Sequence, residues 1–300
     1  MITECLDSLQ RQRPEFLKSA LNSRELNPEL FETVGNQVLR LLNPSNDRDV
    51  FDSLCRSYCA YTYEQNKLQL IYEISGAYPQ ASHGEANDQV YQNHSVMSEY
   101  MKSLLLTQFL WPHHLQIVRF FTDAFSPLLA QSNSLKVAEF APGHGMFGRL
   151  LLQAFPAARL SGYDISPVAV RMAQSLADQE GLGQRAAYTV MDVLAKSYRM
   201  SDTFDAIVAG ELMEHLDDPR VLCESIEEQL VPGGLAFITA ALTAANLDHV
   251  YEFKDPEEVT GMVSGAGFEI IDQIVASPPS VRPGTKRIPR VQALIVRKHG

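Results

Sequence analysis

An apolar run from Leu135 to Phe140 that opens into Gly143-His144-Gly145-Met146-Phe147-Gly148 constrains this chain more than any other feature. The glycines make a flexible turn in which the backbone can approach a ligand closely. The spacing predicts a strand, a glycine turn and a helix over Phe147–Ala154, which is the opening of a β-α-β unit. The alternation then continues. Strand candidates follow at Arg159–Tyr163, Ala187–Val190, Phe204–Ala209, Leu235–Thr239, Glu269–Ile274 and Val291–Val296, with helices starting near Pro167, Pro219 and Pro256. Such a series predicts an α/β fold: a Rossmann-like, doubly wound, mostly parallel seven-stranded sheet.

Upstream the periodicity is helical. Asn27-Pro28-Glu29 supplies a cap, a first-turn proline and an early acid, and Leu30, Phe31, Val34, Val38 and Leu41 follow on one face. A second helix starts near Asn46 and Asp47 and carries Val50, Phe51, Leu54, Cys55 and Tyr58, after which 76–88 reads as a loop. Tyr91, His94, Met97, Tyr100, Met101 and Leu104 recur at three- and four-residue steps and lead to Trp111-Pro112-His113-His114, whose histidines are expected to be solvated or capping. The turn-like Gln131-Ser132-Asn133-Ser134 marks the expected boundary between an N-terminal helical cap, 1–130, and an α/β domain, 131–300.

Composition narrows the partners. With 45% hydrophobic residues the chain can fill a large core, and 25 basic against 36 acidic residues leave a net charge of −11. That charge makes nucleic acid an unfavourable partner and repels anionic lipid. No apolar run approaches the roughly 20 residues of a membrane helix, and Glu4, Asp7, Arg11 and Arg13 occupy the stretch where a signal peptide would be apolar. The expectation is a cytoplasmic protein acting on a small-molecule substrate, with a homodimer left open. Cys5, Cys55, Cys59 and Cys223 are too few for a disulfide scaffold and are read as reduced, partly buried thiols.

The glycine loop fits a dinucleotide fingerprint, with Asp164 about 20 residues beyond Gly143. Glu139 argues against a pyrophosphate, because a carboxylate at the strand tip repels it; a cofactor with an ammonium end suits the same place. Glu139-Phe140-Ala141-Pro142-Gly143-His144-Gly145 resembles the first motif of the class I S-adenosylmethionine-dependent methyltransferases, with Ala141 in place of the first glycine. Met191-Asp192-Val193, Phe204-Asp205-Ala206-Ile207-Val208 and Val231-Pro232-Gly233-Gly234 continue the resemblance in order, over about 170 residues. It implies that Glu139, Ala141, Gly143 and Gly145 receive the amino-acid end of S-adenosylmethionine. It further implies that Asp164 and Ile165 receive the ribose, and Asp192 and Val193 the adenine.

After the fourth strand comes Gly210-Glu211-Leu212-Met213-Glu214-His215, and after the fifth Asp248-His249-Val250-Tyr251-Glu252-Phe253. On a helical turn Glu211, Glu214 and His215 would share one face. The two segments together are similar to the metal-dependent small-RNA 3′-end 2′-O-methyltransferases, and the first also to the ubiquinone-pathway O-methyltransferases. The resemblance implies a divalent metal (Mg, Mn, Fe or Zn) held by Glu211, Glu214, His215 and His249. The alternative is a metal-free pocket in which Glu214, His215 or His249 does acid–base work. The segment between His215 and His249 is shorter than in the RNA enzymes, which with the acidic charge disfavours an RNA 3′-end substrate. A small metabolite methylated on oxygen is the leading reading, metal-free C- or N-methylation in a natural-product pathway and a non-catalytic cofactor binder the others. Tyr91, His94 and Tyr100 are candidate substrate contacts or core packing, and Arg282, Lys286, Arg287 and Arg290 form a basic, proline-rich loop suited to solvent or to a carboxylate or phosphate.

Overall fold

The computed structural model describes residues 1–78, 94–130, 134–195, 203–279, 281 and 283–300, with the side chains of 94–96 left out. Helices come first: α1 (Ile2–Gln12), α2 (Pro14–Leu26), α3 (Pro28–Leu42), α4 (Arg48–Ser75), α5 (His94–Leu110) and α6 (Pro112–Phe120). Their starts follow local chemistry: Asn27 Oδ1 accepts from Leu30 N at 3.1 Å and Asp47 Oδ1 from Asp49 N at 2.7 Å. Proline, which has no N–H to strand, opens α2, α3 and α6. Helix α4 runs 28 residues, about 42 Å at 1.5 Å per residue, and ends on Gly76 at φ +79°.

The sheet follows as β1 (Lys136–Phe140), α7 (Met146–Ala154), β2 (Arg159–Asp164), α8 (Pro167–Gln179), β3 (Ala186–Val190), β4 (Phe204–Ala209), α9 (Arg220–Gln229), β5 (Leu230–Leu242), α10 (Pro256–Gly265), β6 (Phe268–Ala276) and β7 (Arg290–Lys298). Its order is β3-β2-β1-β4-β5-β7-β6; β7 alone runs antiparallel to its neighbours. The expected seven-stranded, mostly parallel α/β sheet is what forms. Strand order reverses between β1 and β4, and such a switch point opens a crevice at the carboxyl ends of the strands.

Apolar clusters cover both faces of the sheet. On one, Phe120, Phe121, Phe125 and Phe147 surround Phe237 of β5, with Phe121 at 4.9 Å and Phe125 at 5.4 Å between ring centroids. On the other, Leu222, Ile226, Phe253 and Val259 cover Ile207 and Ile238. The helical layer has a core around Phe31, Tyr58 and Phe109 that reaches Met146 of α7 and Leu176 of α8, so it is seated beside the glycine loop. Gln69 Nε2 on α4 donates to the carbonyls of Thr243 (2.9 Å) and Arg287 (2.8 Å), which draws α4 across the end of β5. All four cysteines are buried and free. Among the described residues no helix is long and apolar enough to cross a membrane. The turn residues Gln131–Asn133, the end of the basic-loop signal at Arg282 and the candidate Tyr91 lie outside the described residues.

Candidate active site

The loop after β1 takes left-handed backbone at Ala141 (φ +48°), Gly143 (+55°) and Gly145 (+64°). Ala141 is thus a non-glycine residue in a conformation that costs about 1–2 kcal/mol; its N–H is held by the Tyr163 carbonyl at 2.8 Å. Asp164 braces the loop, one oxygen accepting from Gly143 N at 3.0 Å and the other from Ser166 N at 2.8 Å. Glu139 is buried at the strand tip: Oε1 accepts from Gly148 N at 3.2 Å, and Oε2 is buried with no hydrogen-bond partner. Burial pushes the Glu139 carboxyl up to about 7, against the opposing pull of the Gly148 N–H and the nearby Arg149. Ala141, Ile165, Asp192 and Val193 line the same cavity of about 640 Å³. A zwitterionic, ribosylated cofactor fits the chemistry of these groups: an ammonium would satisfy the orphaned Glu139 oxygen, and Asp164 and Asp192 add to the same cavity carboxylates suited to a diol and an exocyclic amine.

Beyond β4 the expected helical turn does not form. Glu211 sits at φ +48°, its N–H bonded to Thr239 Oγ1 at 2.7 Å, and only Met213–His215 coil as a short 3-10 turn. Glu211 therefore does not share a helical face with Glu214 and His215, although its side chain still lines the cavity. Among the described residues, the ligand atoms that converge, all within 4.8 Å of one another, belong to Glu214, His215 and His249. Two backbone N–H groups, Val250 and Tyr251, donate to the Glu214 carbonyl at 2.9 and 3.0 Å and bring the loop after β5 alongside. His215 Nδ1 lies 2.8 Å from the Asp248 carbonyl and His249 Nδ1 2.7 Å from that of Ala244. A carbonyl only accepts, so both Nδ1 atoms carry a proton; burial keeps His249 neutral with a lone pair on Nε2, whereas the Asp248 and Glu214 carboxylates hold the His215 imidazole above its usual range despite its burial. The imidazoles meet edge to face, 4.9 Å apart. Glu214 is fully buried and neither of its carboxylate oxygens has a hydrogen-bond partner. Burial raises its carboxyl above the usual range and depresses the His249 imidazole to about 4. A buried carboxylate with two backbone-anchored imidazoles whose ligand atoms lie within 4.8 Å of it is the donor set of a borderline or hard divalent ion, and the residues present fit one.

The helical layer closes the cavity. Tyr100 OH donates to Asp248 Oδ2 at 3.1 Å and accepts from Asn246 Nδ2 at 3.0 Å, so this candidate does face the site; the side chain of His94, like Tyr91, is outside the described residues. Tyr61 stacks on Trp111, and Trp111 on His113, at 5.9 and 5.4 Å. Contrary to the sequence reading, His114 is buried rather than solvated, and it was missed as a site residue. Thr107 Oγ1 donates to the Leu104 carbonyl at 2.7 Å and lies 2.9 Å from His114 Nδ1, which Gln108 Nε2 also approaches at 3.5 Å. His114 Nε2 lies 3.8 Å from Glu211 Oε1. Burial, reinforced by repulsion from Glu214, pushes the Glu211 carboxyl up to about 8.

Residues 138–236 match the family described as "Methyltransferase domain". They are a class I S-adenosylmethionine-dependent methyltransferase domain. Two similar curated proteins are ubiquinone biosynthesis O-methyltransferases, from Xanthomonas axonopodis pv. citri (23% identical over 134 residues, 38% of this chain and 55% of the relative) and Parvibaculum lavamentivorans (28% over 154 residues, 50% and 58%). The chain thus spans little more than half the length of these relatives. An O-methyltransferase family protein from Burkholderia thailandensis shares the fold, with a TM-score of 0.59 at 14% identity over 83% of this chain and 73% of that one. In this methyltransferase domain the glycine loop and the two histidines of the cluster, His215 and His249, line one cavity, with Glu214 buried behind them.

Proposed function

We propose that this chain transfers a methyl group from S-adenosylmethionine to an oxygen of a small metabolite carrying neighbouring oxygen donors, with a divalent metal held by Glu214, His215 and His249. The observation that carries this reading is the Glu214 carboxylate, buried without a partner against two imidazoles whose Nδ1 protons are committed to backbone carbonyls. When bound, the metal would supply Lewis acidity toward vicinal oxygens, which lowers the pKa of a coordinated hydroxyl. Glu139 holds the cofactor ammonium, Asp164 fixes the glycine loop and meets the ribose, and the helices of 1–130 act as a lid that excludes water. Tyr100 and His114 present polar tips to the acceptor. The names of the curated relatives favour oxygen as the methyl acceptor.

The test is calorimetric titration of S-adenosylhomocysteine into chelator-stripped protein, followed by catechol as a mock acceptor with and without Mg, Mn, Fe(II) or Zn. Micromolar cofactor-product binding and catechol binding that requires a metal are expected. Catechol affinity indifferent to every metal would remove the metal from the proposal, and absence of S-adenosylhomocysteine binding would overturn methyl transfer itself.

Glu139 adds a pH signature. Its folded-state carboxyl, at about 7, lies above the ordinary value of 4.5, so ionising it opposes folding as pH rises from 4.5 to 7. An ammonium bound beside it selects the ionised form, so cofactor affinity should climb with pH through 7 and level off above. S-adenosylhomocysteine should bind about tenfold tighter at pH 8 than at pH 6. Glu139→Gln should bind weakly with a flat profile, and a flat profile in the parent protein would count against Glu139 as the ammonium partner.

A further inference from the structure

A second cavity, of about 670 Å³, adjoins the first beyond the end of β5. Among the described residues four cationic side chains line it, Lys254, Lys286, Arg287 and Arg290, against two carboxylates, Glu252 and Asp255. In a chain of net charge −11 this is an unusual concentration of positive charge. Part of the charge is already committed. Glu252 accepts from Tyr72 OH at 2.5 Å, and the Arg287 guanidinium lies 5.1 Å over the Tyr72 ring with Nη1 on the Glu73 carbonyl at 3.1 Å. The Glu73 carboxylate takes the backbone N–H groups of Lys286 and Arg287, both at 2.9 Å, so the end of α4 pins the basic loop in place.

Arg290 is different. Its Nη2 donates to the Lys254 carbonyl at 2.8 Å, but its Nε–H is buried and has no acceptor. A buried guanidinium donor left unmet is costly, and an oxyanion is the group that guanidinium and ammonium donors bind best. Arg290, with Pro278 and Pro279, also walls the methyl-transfer cavity, so the two spaces meet at this side chain.

We propose that this basic cavity binds an oxyanion, a carboxylate or phosphate ester, carried at the end of the methyl acceptor remote from the reacting oxygen. Arg290 Nε and the Lys286 ammonium are its donors. The assignment of that anion to the acceptor rests on the methyl-transfer reading; the anion site itself does not. The basic loop singled out in the sequence thus becomes a specificity element that selects acidic acceptors over neutral ones.

The experiment titrates inorganic phosphate and, separately, acetate into the full chain in an oxyanion-free buffer, with S-adenosylhomocysteine titrated into the same samples. Saturable one-to-one binding of at least one anion, in about the millimolar range, is expected. Arg290→Gln should weaken it about tenfold or more, and Lys286→Ala, an exposed position that leaves the fold intact, about threefold to tenfold. Both should leave S-adenosylhomocysteine affinity within about twofold of the parent. Saturation by phosphate alone assigns a phosphate ester, and by acetate alone a carboxylate. No saturable binding of either anion, or unchanged binding in both variants, overturns the site. Anion binding in a protein that fails to bind S-adenosylhomocysteine would preserve the site and defeat the methyl-transfer reading.

Discussion

Glu214→Ala is expected to weaken divalent-metal binding by about 100-fold or more while S-adenosylhomocysteine binds within about twofold of the parent. The separation follows from position. Glu214 belongs to the short turn after β4, whereas the glycine loop is braced by Asp164 at the end of β2. Losing the carboxylate removes the anionic member of a three-ligand set and leaves two neutral imidazoles, a poor site for a hard cation. The same carboxylate is a liability without metal, since it is fully buried and neither oxygen is hydrogen-bonded. Glu214→Leu should therefore stabilise the metal-free protein by about 1–3 kcal/mol, seen as a higher melting temperature in EDTA, and should lose the stabilisation that added metal gives the parent. A variant that binds metal as the parent does, or melts lower in EDTA, would remove Glu214 from the ligand set.

Gly148→Ala should lower S-adenosylhomocysteine affinity about 100-fold and cost about 3 kcal/mol in stability. An added Cβ would stand 2.4 Å from Glu139 Oε2 and 2.5 Å from Leu160 Cδ2. Both neighbours are buried, at 2% exposure each, and have nowhere to go. The first turn of α7 must lift away, breaking the Gly148 N–H bond to Glu139 and displacing the loop that Asp164 braces. Gly261→Ala is the control: it is a helical glycine in α10 with open space around it, and should gain about 0.5–1 kcal/mol. Normal cofactor-product affinity in Gly148→Ala would mean that the loop is not held by this contact. Calorimetry and thermal melting on the three proteins decide it.

Much of the fold was legible because its signals are local. Strands covered on both faces read as short apolar runs, and prolines mark the starts of α8 and α10, so most element limits fell within a residue or two. The exception is β5, which runs from Leu230 through Pro232-Gly233-Gly234 to Leu242. The sequence starts this strand only at Leu235; in the sheet the preceding residues are absorbed where the pairing shifts between Phe204 with Leu230 and Ala206 with Leu235.

The site was legible in its residue types and only partly in its geometry. The i, i+3, i+4 spacing of Glu211, Glu214 and His215 presumed a helix, but the positive φ at Glu211 ends that periodicity before Glu214. His114 follows a proline at a helix start, which suggests a surface, yet α6 is wedged between the helical layer and the sheet and buries it.

By itself, then, the sequence determined the strand and helix alternation, the glycine loop and the acids at the ends of β1 and β2, because each depends on backbone conformation and burial within a few residues. Tertiary structure alone decided which side chains meet. His249 joins His215 across 33 residues only because two N–H groups of its loop bond the Glu214 carbonyl, and Glu211 is paired with His114 only because the helical layer packs over the strand ends. Contacts of that kind are set by how whole layers pack, and a linear pattern carries no record of the packing angle.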